Sequence, residues 1–112
     1  MNNVRLIGDL VVPVVTRRDW STGRTVGKAL IAVSRGAMGL DFVPVTLWDR
    51  EAIDAANYLG EGSTVAIRGH VHSGFLAERG NVGVDRRRRL VYVIGDHVRY
   101  LDVRPPSGGE RP

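Results

Sequence analysis

The sequence predicts an all-β domain, a five-stranded antiparallel Greek-key barrel with one short helix between the third and fourth strands. Three observations lead there. Apolar and polar residues alternate with a period of two through most of the chain, one stretch alone has helical spacing, and no strand–helix–strand alternation marks a parallel sheet.

The elements follow in order. From Val4, residues Val4, Leu6, Gly8 and Leu10 alternate with Arg5, Ile7 and Asp9, which is a strand with one apolar face. Asp19-Trp20-Ser21-Thr22-Gly23 supplies a turn, and Val26 to Val33 is a second extended run, joined to the first strand as a hairpin. Asp41 to Trp48 is the third strand, with Val43, Val45 and Leu47 on one face and Phe42, Pro44, Thr46 and Trp48 on the other; Pro44 cannot donate to a ladder, so it marks an edge or bulge. Asp49 as N-cap, Glu51 in the first turn, and Ala52, Ile53, Ala56 and Leu59 at helical spacing before Gly60 predict a short helix. Thr64 to His72 alternates again with Val65, Ile67, Gly69 and Val71 inward. A Gly-rich, charged stretch from Ser73 to Asp85 leads to a last strand over Leu90 to Leu101. This order is that of the OB-fold, whose open sheet face and long loops bind oligomers. The domain is expected over residues 1–103, with 104–112 a disordered tail.

At 112 residues the chain has room for one domain, and its formal charge of +4 favours a polyanionic partner, nucleic acid first. The cations are arginines apart from Lys28, and guanidinium both forks onto phosphate and stacks on a base; a GC-rich genome would produce the same bias. With no cysteine there is neither a disulfide framework nor a thiolate nucleophile. The N-terminus has no secretory pattern and nothing long enough to span a bilayer, so a cytoplasmic, nucleoid-associated protein without membrane contact is expected.

Aromatic residues are few, so Trp20, Trp48, Tyr58, Tyr92, Tyr100, Phe42 and Phe75 each need an account. Single strands expose flat bases and a charged backbone, and a sequence-tolerant binder needs aromatic platforms beside a positive groove. Phe42 and Trp48 lie an even number of residues apart on the face opposite Val43, Val45 and Leu47, and so present two platforms; the alternative is that they cover a second apolar cluster or a subunit contact. Trp20, at a hairpin tip beside Arg18, is either a binding group or local loop packing. Candidate phosphate contacts are Arg18, Arg35, Arg50, Arg68 and the run Arg86-Arg87-Arg88-Arg89, against a solvated hairpin partly offset by Asp85 and Glu78. His70 and His72 share a strand face, but no third metal ligand accompanies them, and solvent-facing histidines are expected there. No nucleophile elbow, P-loop or helical zinc motif is present, so neither a catalytic residue nor a cofactor is expected.

Several blocks are identifiable as more than composition. Met1-Asn2-Asn3-Val4-Arg5-Leu6-Ile7-Gly8-Asp9-Leu10, then Gly23-Arg24-Thr25-Val26 with Ala32-Val33-Ser34-Arg35, resemble the opening segments of the bacterial single-stranded DNA-binding protein family. Asp41-Phe42-Val43-Pro44-Val45-Thr46-Leu47-Trp48, continuing through Ala52, Ala56, Tyr58, Leu59, Gly62, Ser63, Val65 and Gly69, is the most specific match, and Asp96-His97-Val98-Arg99-Tyr100-Leu101 resembles the family's last strand. The resemblance implies a homo-oligomer, usually a tetramer with a dimer as the alternative, that wraps single-stranded DNA in replication, recombination and repair. It also implies base stacking at Phe42 and Trp48, and at Phe75 or its neighbour Leu76.

The chain departs from the family pattern in three places. Gly36-Ala37-Met38-Gly39 stands where an aromatic stacker is common, Gly60-Glu61 replaces a basic pair, and the sequence ends at Pro105 to Pro112 without the acidic tip that recruits repair proteins. The first two departures predict weaker binding than the family norm, and the third either a truncated chain or a short paralogue that binds DNA without recruiting those partners. The second reading is an OB-fold accessory protein of replication restart, similar to primosomal replication protein N, acting mainly through protein contacts. A third is a metal-dependent hydrolase using His70, His72 and Asp96, for which no complete site is visible.

Overall fold

Strand β1 (Val4–Leu10) forms as its alternation requires, with Gly8 and Leu10 buried and Arg5, Ile7 and Asp9 exposed. It belongs to a computed structural model that describes residues 1–75 and 89–106, and of Phe75 and Arg89 only the backbone. Strands β2 (Val15–Asp19), β3 (Arg24–Ser34) and β4 (Leu40–Trp48) follow, then helix α1 (Arg50–Tyr58) and strands β5 (Thr64–Phe75) and β6 (Arg89–Asp102).

Five of the strands close into a ring, β1–β5–β6–β4–β3 and back to β1 through Asp9↔Ala32 and Leu10↔Ile31, while β2 hangs on the outer edge of β3. This is the OB-fold, with α1 where the sequence places it. Three details differ from expectation. β2 is an additional strand, and the Asp19–Gly23 turn joins it, not β1, to β3. The ring is not wholly antiparallel: a closed ring of five strands cannot alternate at every seam, and with the other four antiparallel β6 meets β4 in parallel, through Val45↔Val93 and Thr46↔Ile94. β5 also continues past His72, so Ser73, Gly74 and Phe75 are strand, paired with Val91, Leu90 and Arg89.

The core is one cluster built on Leu10, Ile31, Val45, Leu47, Val65, Ile67 and Val93. Helix α1 turns Ala52, Ala55 and Leu59 onto it, and two of these are small enough to bring the helix close. Ile53, expected to face inward, is exposed; Ala55 takes its place, because the buried stripe runs through 52, 55 and 59. Val71 is also exposed at 39%, although it keeps the inward side of β5 and pairs with buried Val93; the register shift between Arg68 and Gly69 skips Asp96 on β6 and leaves the alternation of β5 unchanged. Gly69 is needed at that point, since a Cβ would collide with the carbonyl of Ile94.

After β6 the chain is stitched back onto the loop before β5. The Gly60 amide donates to Arg104 O at 2.6 Å, and Ser63, fully buried, donates from Oγ to Arg104 O at 3.1 Å and accepts from Arg104 N at 2.9 Å. A side chain at Gly60 would strike the Pro105 carbonyl, so glycine serves here for close approach. Hydrogen-bonded structure thus continues past residue 103, where the sequence predicts the tail to begin; residues 107–112 lie outside the described residues. No helix among the described residues is long and apolar enough to cross a membrane.

Candidate nucleic-acid interface

Directly opposed residues in an antiparallel ladder share a face, so the register fixes which side chains lie together. β4 pairs with β3 through Val26↔Trp48, Lys28↔Thr46, Leu30↔Pro44 and Ala32↔Phe42, and β3 with β2 through Val15↔Lys28 and Arg17↔Val26. One outer face therefore carries Phe42, Pro44, Thr46 and Trp48 together with Lys28 and Arg17. Phe42 is 57% exposed, which no core role requires, and Trp48 is half-buried. Pro44 sits just before the two residues that pair with β6, so its missing N–H falls where β4 has an open edge on that side.

Beside this face, β6 and the far part of β5 rise as a wall. Between them and β2–β3–β4 lies a groove of about 430 Å³, lined by Arg17, Lys28, Pro44, Thr46, Val91 and Tyr92 among others. Lys28 Nζ stands 5.7 Å from the centre of the Tyr92 ring and donates to Thr46 Oγ1 at 3.4 Å. Burial, and next the Arg17 charge, lower the pKa of Lys28 below the ordinary lysine range. Tyr92 is packed in turn on His72, ring centres 5.6 Å apart and tilted by 56°. The groove thus offers two cations and a phenol ring within reach of one another, a combination able to take a base and its phosphates.

Sequence reasoning passed over Arg17, Lys28 and Tyr92. Arg17 could have been found from the period of two once β2 was recognised as a strand. It faces the groove, whereas Arg18, paired with Thr25, turns to the other side of the ribbon. Arg18 there donates to Gly23 O at 3.2 Å and lies 5.8 Å from the ring centre of Trp20. Trp20 itself is 86% exposed at the tip of a turn that Asp19 organises, its carboxylate accepting from Ser21 and Thr22 hydroxyls at 2.9 and 3.0 Å. Those hydrogen bonds, Ser21 first, hold the Asp19 carboxyl below the usual range.

The remaining candidates are dispersed. Arg35 pairs with Asp41 at 2.9 Å beside Phe42, and Arg50 stands at the start of α1 with Asp54 4.0 Å away. Arg68 is on β5, opposite Arg5 and His97, on strands other than those that carry Phe42 and Trp48. Arg86, Arg87 and Arg88 lie outside the described residues, as do the side chains of Phe75 and Arg89. His70 donates through Nδ1 to Asp96 Oδ2 at 2.9 Å while His72 packs on Tyr92, and among the described residues no group of three or more potential ligands could hold a metal. Of the other tyrosines, Tyr100 packs against the core, where burial raises its pKa, and Tyr58 is exposed on α1.

Trp48 has a neighbour that the sequence did not announce. The Arg24 guanidinium lies over its ring, 4.6 Å from the centre, and Arg24 Nε donates to Asp49 Oδ2 at 2.8 Å. Asp49 occupies the N-cap position, but its carboxylate makes no cap hydrogen bond; it accepts from Arg24 and, at 3.2 Å, from Thr25 N. This corrects the expected capping role, because ring and guanidinium draw the carboxylate back across β3. The Arg24 hydrogen bond holds its carboxyl below the ordinary range.

Comparison with known proteins fits this geometry. The chain is 32% identical over 108 residues to the single-stranded DNA-binding protein of Clostridium tetani, covering 91% of this chain and 71% of that one. It is 31% identical over 111 residues to single-stranded DNA-binding protein 1 of Clostridium acetobutylicum, covering 93% and 96%, and 30% identical over 110 residues to single-stranded DNA-binding protein B of Bacillus subtilis, covering 93% of each. The profile of the Single-strand binding protein family matches residues 1–101, and the chain belongs to that family.

Proposed function

We propose that the chain binds single-stranded DNA irrespective of sequence, with bases stacking on Phe42 and Trp48 and phosphates held by Arg17, Lys28 and neighbouring arginines. The observation that carries the reading is the shared face: two outward aromatics, a groove-lining tyrosine and two cations on one side of an OB barrel, in a chain of this family. Each stacked base contributes about 1–3 kcal/mol and depends little on its identity, while phosphate contacts make the affinity fall with salt. Trp20 and Phe75 would extend the stacking track, and Arg18, Arg35, Arg50 and the 86–89 run would extend the phosphate track, whereas Arg68 stands on the β1–β5–β6 face and is left out of it. Neither role calls for a catalytic group. The three relatives are named for binding single-stranded DNA, which supports carrying the activity here, with replication, recombination and repair as its setting.

A homo-oligomer, dimer or tetramer, is part of the same reading. On the β3 side β1 is paired only at Asp9 and Leu10, so among the described residues its Val4–Gly8 edge has no strand neighbour, and Ile7 beside it is 62% exposed. An open edge of this kind favours pairing with a second copy.

Titration of the protein with poly(dT), followed by tryptophan fluorescence, tests the activity. Quenching that recovers as salt is added is expected; an unchanged spectrum at low salt would refute it. Light scattering on the same samples gives the mass of the assembly.

A further inference from the structure

The Trp48 ring, placed to stack on a base, is already covered. Aromatic pairs, offset-stacked or edge-to-face, have ring centres roughly 4.5–7 Å apart. The Arg24 guanidinium carbon, at 4.6 Å, occupies the position over the indole that a base would need. It does not rest there by chance of rotamer. Asp49 grips it at 2.8 Å, and Asp49 is in turn fixed by Thr25, whose amide donates to its carboxylate at 3.2 Å and whose carbonyl accepts from its own amide at 2.7 Å.

The backbone of Asp49 supports the same conclusion. With φ at 53° and ψ at −120° it is the only non-glycine residue at positive φ among the described residues, and it leaves the first turn of α1 without a side-chain cap. Backbone so far from the extended form of an ordinary N-cap turns the carboxylate from the helix, and it is committed to Arg24 instead.

We propose that Arg24 and Asp49 form a latch over Trp48, which a single strand opens by drawing Arg24 from the carboxylate to a phosphate and seating a base on the uncovered ring. The exchange is chemically even-handed. Arg24 leaves one anion for another that its planar fork fits at least as well, and the ring gives up a cation for a π-face. Arg24 and Asp49 are each about half exposed, so the latch is weak enough to be opened by ligand. Its effect is to keep the indole from apolar contacts when no strand is present, at a modest cost in affinity.

The inference rests on the single-strand-binding reading, and the experiment separates the two. In a Trp20→Phe background Trp48 is the sole indole. Acrylamide quenching of the DNA-free protein is compared for the parent, Arg24→Ala and Asp49→Asn, and binding of fluorescein-labelled dT oligonucleotide is measured by anisotropy at fixed salt. Asparagine tolerates positive φ and keeps an oxygen for the Thr25 amide, so that variant retains the fold, checked by thermal melting. Expected are a raised quenching constant in both variants and oligonucleotide binding about two- to fivefold tighter in Asp49→Asn. Unchanged quenching in both, or an asparagine variant that binds no tighter than a parent that does bind, overturns the latch. A parent that fails to bind sinks the single-strand reading and the opening step with it, while quenching still decides whether Arg24 covers the ring.

Discussion

Two outer faces of the barrel carry positive charge, and only one of them has the makings of a nucleic-acid site. On β1–β5–β6, Arg5, Arg68, His97 and Arg99 line a shallow pocket with aliphatic Leu6, Ile7 and Ile67, and it holds no Phe, Trp or Tyr, its one ring being the His97 imidazole. On β2–β3–β4, Arg17 and Lys28 stand with Phe42, Trp48 and, from the adjoining wall, Tyr92. Charge is thus common to both, and the large aromatic side chains make the difference. Guanidinium alone recruits any polyanion, whereas a ring beside it selects a polyanion whose bases are free to stack.

The contrast can be broken from either side. The largest effect is expected from the rings: Trp48→Ala and Phe42→Ala should each weaken dT oligonucleotide binding by about 1–3 kcal/mol, roughly five- to 150-fold, with little change in thermal stability for exposed Phe42 and some loss for Trp48, whose half-buried ring lies opposite buried Val26. Anisotropy titration measures this, and affinities within twofold of the parent would remove the rings from the site.

A smaller change is expected from Lys28→Met. The slope of log affinity against log salt should flatten by about 0.7, the value for one phosphate that no longer meets a cation. Its stability should move the opposite way. Folding lowers the Lys28 pKa, so the charged form is penalised in the folded state; that cost is present at neutral pH and disappears only as pH rises past the ordinary lysine pKa. Methionine removes it, and a modest rise in Tm at pH 7 is expected, shrinking at alkaline pH. A fall in Tm across the whole range would mean that the ammonium stabilises the groove.

Arg68→Ala should have the smallest effect on oligonucleotide affinity, less than that of Arg17→Ala measured in parallel. Equal losses from the two would show that the strand reaches both faces, and the contrast would no longer hold.

Much of this arrangement is legible in the amino-acid order alone. β1 and β4 can be read there because one face of each is buried, which stamps a period of two on Leu6, Gly8 and Leu10 and on Val43, Val45 and Leu47. β2 cannot, because Val15, Thr16, Arg17 and Arg18 are all exposed and, among the described residues, the strand pairs with β3 alone. Its omission hides Arg17 and favours Arg18. Phe42 and Trp48 stand out because they oppose a buried face, while Tyr92 lies in an apolar run where nothing local distinguishes a groove wall from a core strand. The grip of Asp49 on Arg24 spans 25 residues and depends on the β3–β4 register; capping is the best local reading of that aspartate, and a tertiary contact displaces it.

The parallel contact between β4 and β6 has a mechanical consequence. A closed ring yields where its zip is narrow, and here two seams are only two residue pairs wide, β1–β3 at Asp9–Leu10 and β4–β6 at Val45–Thr46, against nine pairs between β3 and β4. The groove straddles the β4–β6 seam, with Thr46 on one bank and Tyr92 on the other. A polymer lying in it would act as a suture, so amide exchange at residues 45, 46, 93 and 94 should slow on binding more than exchange elsewhere in the ladders. Of the two narrow seams in the barrel, the one at the groove is the one its cargo would hold shut.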